Sequence, residues 1–163
     1  MYMKQLKCLL ETLYNLTKHM NISYVEIKKW INSLAKQISF KPDVLVIIWN
    51  WWLIGWYFLA KKLKIKEVVV FNFKSYDWRK RGELEYNNTC IDYCELCRKK
   101  KVLIFDDLVD SWETMYKAIA LFEWEWDIRT AVLYHKSCSK FNPTYSYKKV
   151  GNVWINFIYE DPF

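Results

Sequence analysis

The residues best suited to chemistry in this chain follow one apolar run, residues 102–105. Two adjacent carboxylates, Asp106 and Asp107, come directly after the run, and a short turn spans residues 110–114. A fully buried strand of a parallel sheet is apolar along its length, and ligands bind beyond the carboxyl ends of such strands. The carboxylates can accept hydrogen bonds from neighbouring hydroxyl groups. The turn can direct backbone N–H groups and the Thr114 hydroxyl at a phosphate on a helix N-terminus.

Alternating helix and strand patterns surround this stretch. Ser23 and Glu26 match a capping box, which predicts a helix that ends before Pro42. Apolar spacing predicts further helices over residues 4–20, 53–63 and 113–123, and apolar runs predict strands over residues 44–48, 67–73, 102–105, 130–134 and 153–158. Residues 74–92 are polar and are predicted to form a mobile loop. The alternation predicts an α/β fold with a single doubly wound, mostly parallel sheet and helices on both faces.

Composition sets limits on the kind of protein. A chain of 163 residues with 53% apolar and 26% charged residues is long enough for one folded domain. The net charge of +7 suits a polyphosphate substrate, a nucleic acid or an acidic lipid, and equally a solvated lysine-rich surface. Five cysteines and a charged N-terminal segment that does not read as a signal peptide predict reduced thiols in the cytoplasm.

Residues 102–114 resemble the phosphoribosyl-pyrophosphate (PRPP) signature of the type I phosphoribosyltransferases. Residues 42–63 are similar to the family's first strand, pyrophosphate loop and following helix. Residues 129–136 and 153–160 are similar to its purine-specific members. The resemblance covers residues 23–163 as one phosphoribosyltransferase domain with a small C-terminal hood, and leaves residues 1–22 as an amphipathic helical extension.

The resemblance implies a purine phosphoribosyltransferase of purine salvage. Such an enzyme would transfer ribose 5-phosphate from PRPP to an oxopurine and release pyrophosphate, with Mg²⁺ as cofactor. It would be a cytoplasmic homodimer or homotetramer, with neither nucleic acid nor membrane as a partner.

The same resemblance implies roles for individual residues. Asp106 and Asp107 would bind the ribose hydroxyls, with Asp107 also holding Mg²⁺ partly through PRPP. Asp110 would both contact PRPP and be the catalytic proton acceptor. The other PRPP-binding residues would be Ser111, Trp112, Glu113, Thr114, Asn50, Trp51 and Trp52. The flexible loop that closes over PRPP would begin at Lys74, Ser75 and Tyr76.

The purine would be bound by Lys136, Trp154 and Ile155. A lysine ammonium only donates hydrogen bonds, so Lys136 would select an oxo group over an amino group. Stacking of a base on an aromatic ring such as Trp154 contributes about 1–3 kcal/mol.

The chain departs from the family at glycine positions. It has 3 glycines and 10 tryptophans, and Trp51, Trp52 and Trp112 stand where the family has glycine. A small residue is usual at Trp49 and Trp56, and a basic residue at Asn50. Glycine serves such turns because it reaches positive φ and lets the backbone approach a ligand closely.

Two explanations of these departures are open. The chain is either a relative that has kept the fold as a non-catalytic module binding PRPP or a nucleotide, or a protein whose gene reads UGA as glycine. Under the second explanation several tryptophans are glycine in the native protein, whereas Trp154 occupies a position where an aromatic residue is expected.

Two weaker patterns have other interpretations. Residues 44–60 are almost entirely apolar, but 17 residues fall short of the roughly 20 that a membrane helix needs, which favours a strand, a turn and a helix. Cys90, Cys94 and Cys97, with Cys138 as a fourth thiolate, have a spacing found in iron–sulfur ligation. No second cysteine pair completes a zinc site, so structural thiols are the competing interpretation. His19 and His135 are predicted to be structural.

Overall fold

The structure, a computed structural model, describes residues 19–48, 53–71, 74–77, 80–85, 97–122 and 127–157. The helices are α1 (Tyr24–Gln37), α2 (Leu53–Leu63) and α3 (Glu113–Ala120). The strands are β1 (His19–Ile22), β2 (Val44–Ile48), β3 (Glu67–Phe71), β4 (Lys74–Asp77), β5 (Lys80–Glu85), β6 (Val102–Val109), β7 (Ile128–Lys136), β8 (Tyr145–Val150) and β9 (Trp154–Phe157).

Five of these strands form one sheet in the order β3-β2-β6-β7-β8. Each pair of neighbours in this sheet is parallel. All five residues of β2 are buried, as expected for an inner strand covered on both faces. Because the strands are parallel, their carboxyl ends lie at one edge of the sheet. The last residues of β6 and of β7 are therefore neighbours at that edge.

Helices cover both faces of the sheet, which confirms the doubly wound fold predicted from the sequence. On one face, α1 and α2 contribute Ile31, Leu34 and Leu59 to a buried apolar cluster with the sheet. On the other face, Met115 and Ala118 of α3 belong to a second cluster. The predicted capping box is also confirmed, since the Ser23 side chain accepts from the Glu26 N–H and the Glu26 carboxylate accepts from the Ser23 N–H at 2.9 Å.

Several elements differ from the sequence prediction. The predicted loop at residues 74–92 contains an antiparallel pair, β4 and β5, in which Lys74 is aligned with Glu85 and Asp77 with Lys80. The residues of both strands are mostly polar, so apolar periodicity does not reveal them. Strand β8 was not predicted, because its sequence YSYKKV has only one aliphatic residue, Val150, preceded by two exposed lysines.

Two strands also extend beyond their predicted ends. Strand β6 continues from residue 105 to Val109 and β7 continues to Lys136, because their backbones stay paired as far as Val109 and His135. Carboxylates therefore interrupt the apolar run of β6 without ending the strand. Most of the predicted helix over residues 4–20 lies outside the described residues, and its last two positions belong to β1.

A second, two-stranded sheet stands apart from the main one. In it β1 pairs in parallel with β9, in a register that aligns His19 with Trp154. Ile155 and Phe157 of β9 are buried and belong to the same apolar cluster as α1. We call this two-stranded sheet the hood; β9 comes from the C-terminal segment, and β1 comes from the segment predicted to be a helical extension. Within the described part of the chain, no helix is long and apolar enough to cross a membrane.

Two threonines fasten the segment that links β7 to β8. The Thr130 N–H donates to the Thr144 hydroxyl at 3.2 Å, and the Thr144 N–H donates to the Thr130 hydroxyl at 2.9 Å. Thr144→Val removes the acceptor of one bond and is expected to lower the free energy of unfolding by about 1–3 kcal/mol. Urea denaturation measures this change, with Thr144→Ser as the matched variant that keeps the hydroxyl. Equal stability of the two variants would contradict the role of the bond.

Candidate active site

The two predicted carboxylates lie inside β6. Asp106 is 6% exposed and Asp107 is 7% exposed, and the Asp107 N–H donates to Asp106 Oδ1 at 2.9 Å. Phe105 and Leu108 both pack on the α1 face, although side chains of a regular strand alternate between faces. The alternation therefore shifts by one residue at the two carboxylates. Both are held at this irregular point near the carboxyl end of the strand.

Burial is the main electrostatic influence on Asp106. It raises the pKa of this carboxyl well above its ordinary value of 3.8, and the neighbouring charge of Asp107 raises it further. An ionised pair at this place requires hydrogen-bond donors or a cation to stabilise it. The pair is thus suited to a ligand that supplies both hydroxyl groups and positive charge.

The raised pKa of Asp106 gives a testable pH dependence. The folded protein binds the proton more tightly than the unfolded chain, so this group's contribution to stability falls as the pH rises above about 4. In Asp106→Asn the side chain at this position is uncharged at every pH. The substitution is expected to raise the melting temperature of the ligand-free protein at pH 7 by at least about 2 °C, since each kcal/mol shifts a domain of this size by about 2–4 °C.

Thermal melts at pH 7 and about pH 4 check this expectation, and the gain should shrink at the lower pH. Asp127→Asn is the control, because this exposed carboxylate lies 3.2 Å from Arg129 in a surface pair of small effect. A stabilisation of Asp106→Asn that is equal at both pH values would show that ionisation of Asp106 is not its cause.

A buried lysine completes the site from the next strand. Lys136, the last residue of β7, has a side chain that is 6% exposed, and its Nζ lies 2.8 Å from Asp110 Oδ1. Asp110 is the first residue after β6 and is 55% exposed. The structure therefore brings together the predicted proton acceptor and the predicted base-binding cation as one ion pair. The sequence places both residues at this edge of the sheet but does not show that they touch.

The turn after Asp110 leads directly into α3. Trp112 is the N-cap residue, with φ −84° and ψ −18°, and its side chain makes no capping hydrogen bond. Its ring is 43% exposed and packs edge-on against Tyr116, with centroids 5.6 Å apart. The backbone at this position does not need positive φ. A glycine here would therefore change the turn only by removing the side chain. Ser111, Glu113 and Thr114 are half-buried beside it, at the N-terminal end of the helix.

The predicted purine contacts divide between the two faces of β9. Trp154 is 55% exposed, whereas Ile155 is 3% exposed and packs in the core. Trp154 thus presents a ring to solvent, and a contact from Ile155 to a base would come from its backbone.

Other predicted site residues lie within or beside the internal gaps between the described ranges. Asn50, Trp51 and Trp52 lie outside the described residues, between β2 and α2. Lys74, Ser75 and Tyr76 lie in β4, so the predicted flexible loop begins as a paired strand.

His135, which the sequence predicts to be structural, is a buried polar residue near the end of β7. It precedes Lys136 and is 9% exposed, and within the described chain its Nδ1 is buried without a hydrogen-bond partner. Burial, followed by the charge of Lys149, lowers its pKa, so the imidazole is neutral at physiological pH. Among the described residues, no group of three or more His, Cys, Asp and Glu side chains is placed to hold a metal ion. Cys97 is buried and Cys138 is exposed, and Cys90 and Cys94 lie outside the described part.

Solved structures with this fold include several purine phosphoribosyltransferases. One from Pyrococcus horikoshii superposes with a TM-score of 0.70 at 22% identity, over 88% of this chain and 95% of that chain. A xanthine-guanine-hypoxanthine phosphoribosyltransferase from Helicobacter pylori gives 0.70 at 23% identity, over 88% and 94%. A hypothetical protein from Neisseria gonorrhoeae with bound ppGpp gives 0.72 at 23% identity, over 88% and 90%. These likenesses show the fold.

Sequence comparison identifies the family. No curated protein matches the chain. The phosphoribosyl transferase domain family, however, matches residues 14–161, which span the main sheet, both carboxylates, the turn before α3 and the hood strands. The chain therefore belongs to the phosphoribosyl transferase family.

Proposed function

We propose that the protein transfers ribose 5-phosphate from PRPP to an oxopurine base and releases pyrophosphate. The ion pair of Lys136 and Asp110, beside the buried carboxylates of β6, is the observation that carries this proposal. It offers a donor and an acceptor 2.8 Å apart, which suits the edge of an oxopurine that presents a carbonyl oxygen next to a ring N–H. A 6-aminopurine has a donor in place of that oxygen and would face the ammonium unfavourably.

The PRPP substrate would lie across the ends of β6 and α3. Asp106 and Asp107 would hold its ribose hydroxyls, and backbone N–H groups of residues 110–114 would bind its 5-phosphate at the start of α3. Thr114 would add a hydroxyl donor. The family assigns pyrophosphate to the connection that contains Asn50, Trp51 and Trp52, and the hairpin that begins at Lys74 would cover the substrate and exclude water.

Each of these groups would have a separate role in the transfer step. N9 of the base would attack C1′ of PRPP as the bond from C1′ to the pyrophosphate oxygen breaks and its electron pair leaves with pyrophosphate. The ring proton of the purine would pass to Asp110, while Lys136 holds the exocyclic oxygen and Trp154 stacks on the ring. Catalysis would rest on positioning and on stabilising positive charge at the sugar.

The carboxylates also fit a magnesium ion. Mg²⁺ is commonly held by one or two carboxylates together with substrate phosphates, and the buried Asp106 and Asp107 need positive charge when ionised. Asp107 would hold the ion partly through PRPP, where its charge would assist departure of pyrophosphate. We also propose that the protein acts in the cytoplasm as a homodimer or homotetramer.

A direct assay tests the proposal. The purified protein is incubated with PRPP and Mg²⁺ and, in separate reactions, with hypoxanthine, guanine, xanthine or adenine. We expect nucleotide and pyrophosphate in equal amounts with one or more oxopurines and very little with adenine. An absence of nucleotide with every oxopurine, or a preference for adenine, would refute the proposed function.

A second candidate function is a regulatory module that binds a nucleotide without turnover. It is favoured by Trp112, whose exposed ring occupies the turn that would hold a phosphate, and by the similar fold of the Neisseria gonorrhoeae protein with bound ppGpp. Calorimetric titration with ppGpp and with PRPP separates the two candidates. Saturable ppGpp binding by a protein that lacks transferase activity would support the module.

A further inference from the structure

Four aromatic rings join the hood to the main sheet. They come from α1, β7, β8 and β9, and they are Trp30, Tyr134, Tyr147 and Phe157. Tyr134 is central, with ring centroids 5.1 Å from Trp30, 6.2 Å from Tyr147 and 6.3 Å from Phe157. Tyr134 and Phe157 are each 2% exposed. Such packed aromatic contacts hold elements in a defined relative position.

The cluster lies between the two elements that carry base-binding groups. Tyr134 precedes Lys136 by two positions on β7, and Phe157 follows Trp154 by three positions on β9. Among the described strands β9 has only β1 as a hydrogen-bonded neighbour. Apart from the short link from β8, residues 151–153, it meets the main sheet through buried side chains. Those side chains are Ile155 and Phe157, on the opposite face of β9 from the exposed Trp154.

We propose that the Tyr134–Phe157 contact fixes the position of the Trp154 ring relative to the Lys136 ammonium. Tyr134 and Phe157 are thus positioning residues for the purine. The inference rests on the proposed function. A short strand moves as a unit, and a displacement of Phe157 would therefore carry Trp154 with it. Stacking on one side and a hydrogen bond on the other both require close contact, and a misplacement of about 1 Å can cost 10²-fold in rate.

Steady-state kinetics with Phe157→Leu test the inference. Leucine keeps the site apolar but removes the ring that meets Tyr134. We expect the KM for the oxopurine to rise about tenfold, as partial loss of stacking implies, while the KM for PRPP stays within about twofold. Tyr134→Leu should reproduce this selective change, and Tyr134→Phe, which keeps the ring, should restore the normal KM for the base.

Phe122→Leu is the matched control. Phe122 is 1% exposed and makes an edge-on contact with Phe71 at 5.4 Å, in the core on the other face of the sheet. Its loss should lower stability without a selective change in the KM for the base. Amide hydrogen exchange gives a readout independent of turnover, and exchange in β9 should be faster in Phe157→Leu than in Phe122→Leu.

The outcomes separate the two proposals. An active wild-type protein whose Phe157→Leu variant keeps its KM for the base, or changes it no more than Phe122→Leu does, overturns the positioning role and leaves the proposed function standing. A wild-type protein without transferase activity refutes the proposed function, and the positioning role with it.

Discussion

Asp110→Asn is expected to lower kcat with an oxopurine by about 10²–10⁴-fold, the usual contribution of a positioned acid or base. Asparagine has the shape of aspartate but cannot take up the purine proton. The affinity for PRPP should stay within about threefold, a change of less than 1 kcal/mol, because Asp110 lies at the base side of the site against Lys136. The prediction is therefore a large loss of turnover with little loss of PRPP binding.

Single-turnover kinetics and equilibrium PRPP binding measure the two effects separately. Asp127→Asn serves as the matched control, since Asp127 is a half-exposed carboxylate outside the site. Lys136→Gln provides a second comparison, and it should chiefly raise the KM for the oxopurine, since an amide lacks the charge of the ammonium. Equal losses of turnover and PRPP affinity in Asp110→Asn would count against its role as proton acceptor.

Trp112→Gly is expected to raise the affinity for PRPP at least about tenfold, equivalent to 1.4 kcal/mol. The exposed indole stands at the start of α3, where backbone N–H groups would meet the 5-phosphate. Glycine is well tolerated at an N-cap, and Trp112 contributes no capping bond, so stability should change little apart from the contact with Tyr116.

Calorimetric titration of PRPP into the wild type and Trp112→Gly measures this change. Tyr116→Ala is the control, because it removes the ring that packs on Trp112 but leaves the indole in the turn. Unchanged affinity in Trp112→Gly would show that the indole does not obstruct the phosphate. Peptide mass spectrometry of the protein from its natural source, across residues 102–117, decides separately whether position 112 is tryptophan or glycine.

Most strands of the main sheet could be predicted because short stretches of sequence indicate each of them. Apolar runs marked β2, β3, β6 and β7, and a capping box marked the start of α1. Strand β8 and the β4–β5 hairpin were not predicted, although each pairs with a strand that is its neighbour in sequence. Their residues carry little apolar periodicity, so sequence pattern alone predicted a loop for the hairpin and no strand at β8.

The sequence predicted which residues form the site better than it predicted the contacts between them. The residues at the ends of β6 and β7 follow from strand order. The ion pair between Lys136 and Asp110 depends instead on how far each strand continues, and both continue beyond their apolar runs. The opposite orientations of Trp154 and Ile155 depend on the pairing of β9 with β1, which joins the two ends of the described chain.

The parallel pairing of β1 with β9 has a consequence for biosynthesis. The ribosome makes β1 before any strand of the main sheet, but its partner emerges only after β8. Domains fold largely as their chain emerges, and contacts between distant segments form late. Strand β1 therefore stays unpaired until the whole main sheet has been synthesised, since β8 ends at Val150 and β9 begins at Trp154. A chain that stops before β9 would keep the sheet and both carboxylates but lack the strand that carries Trp154.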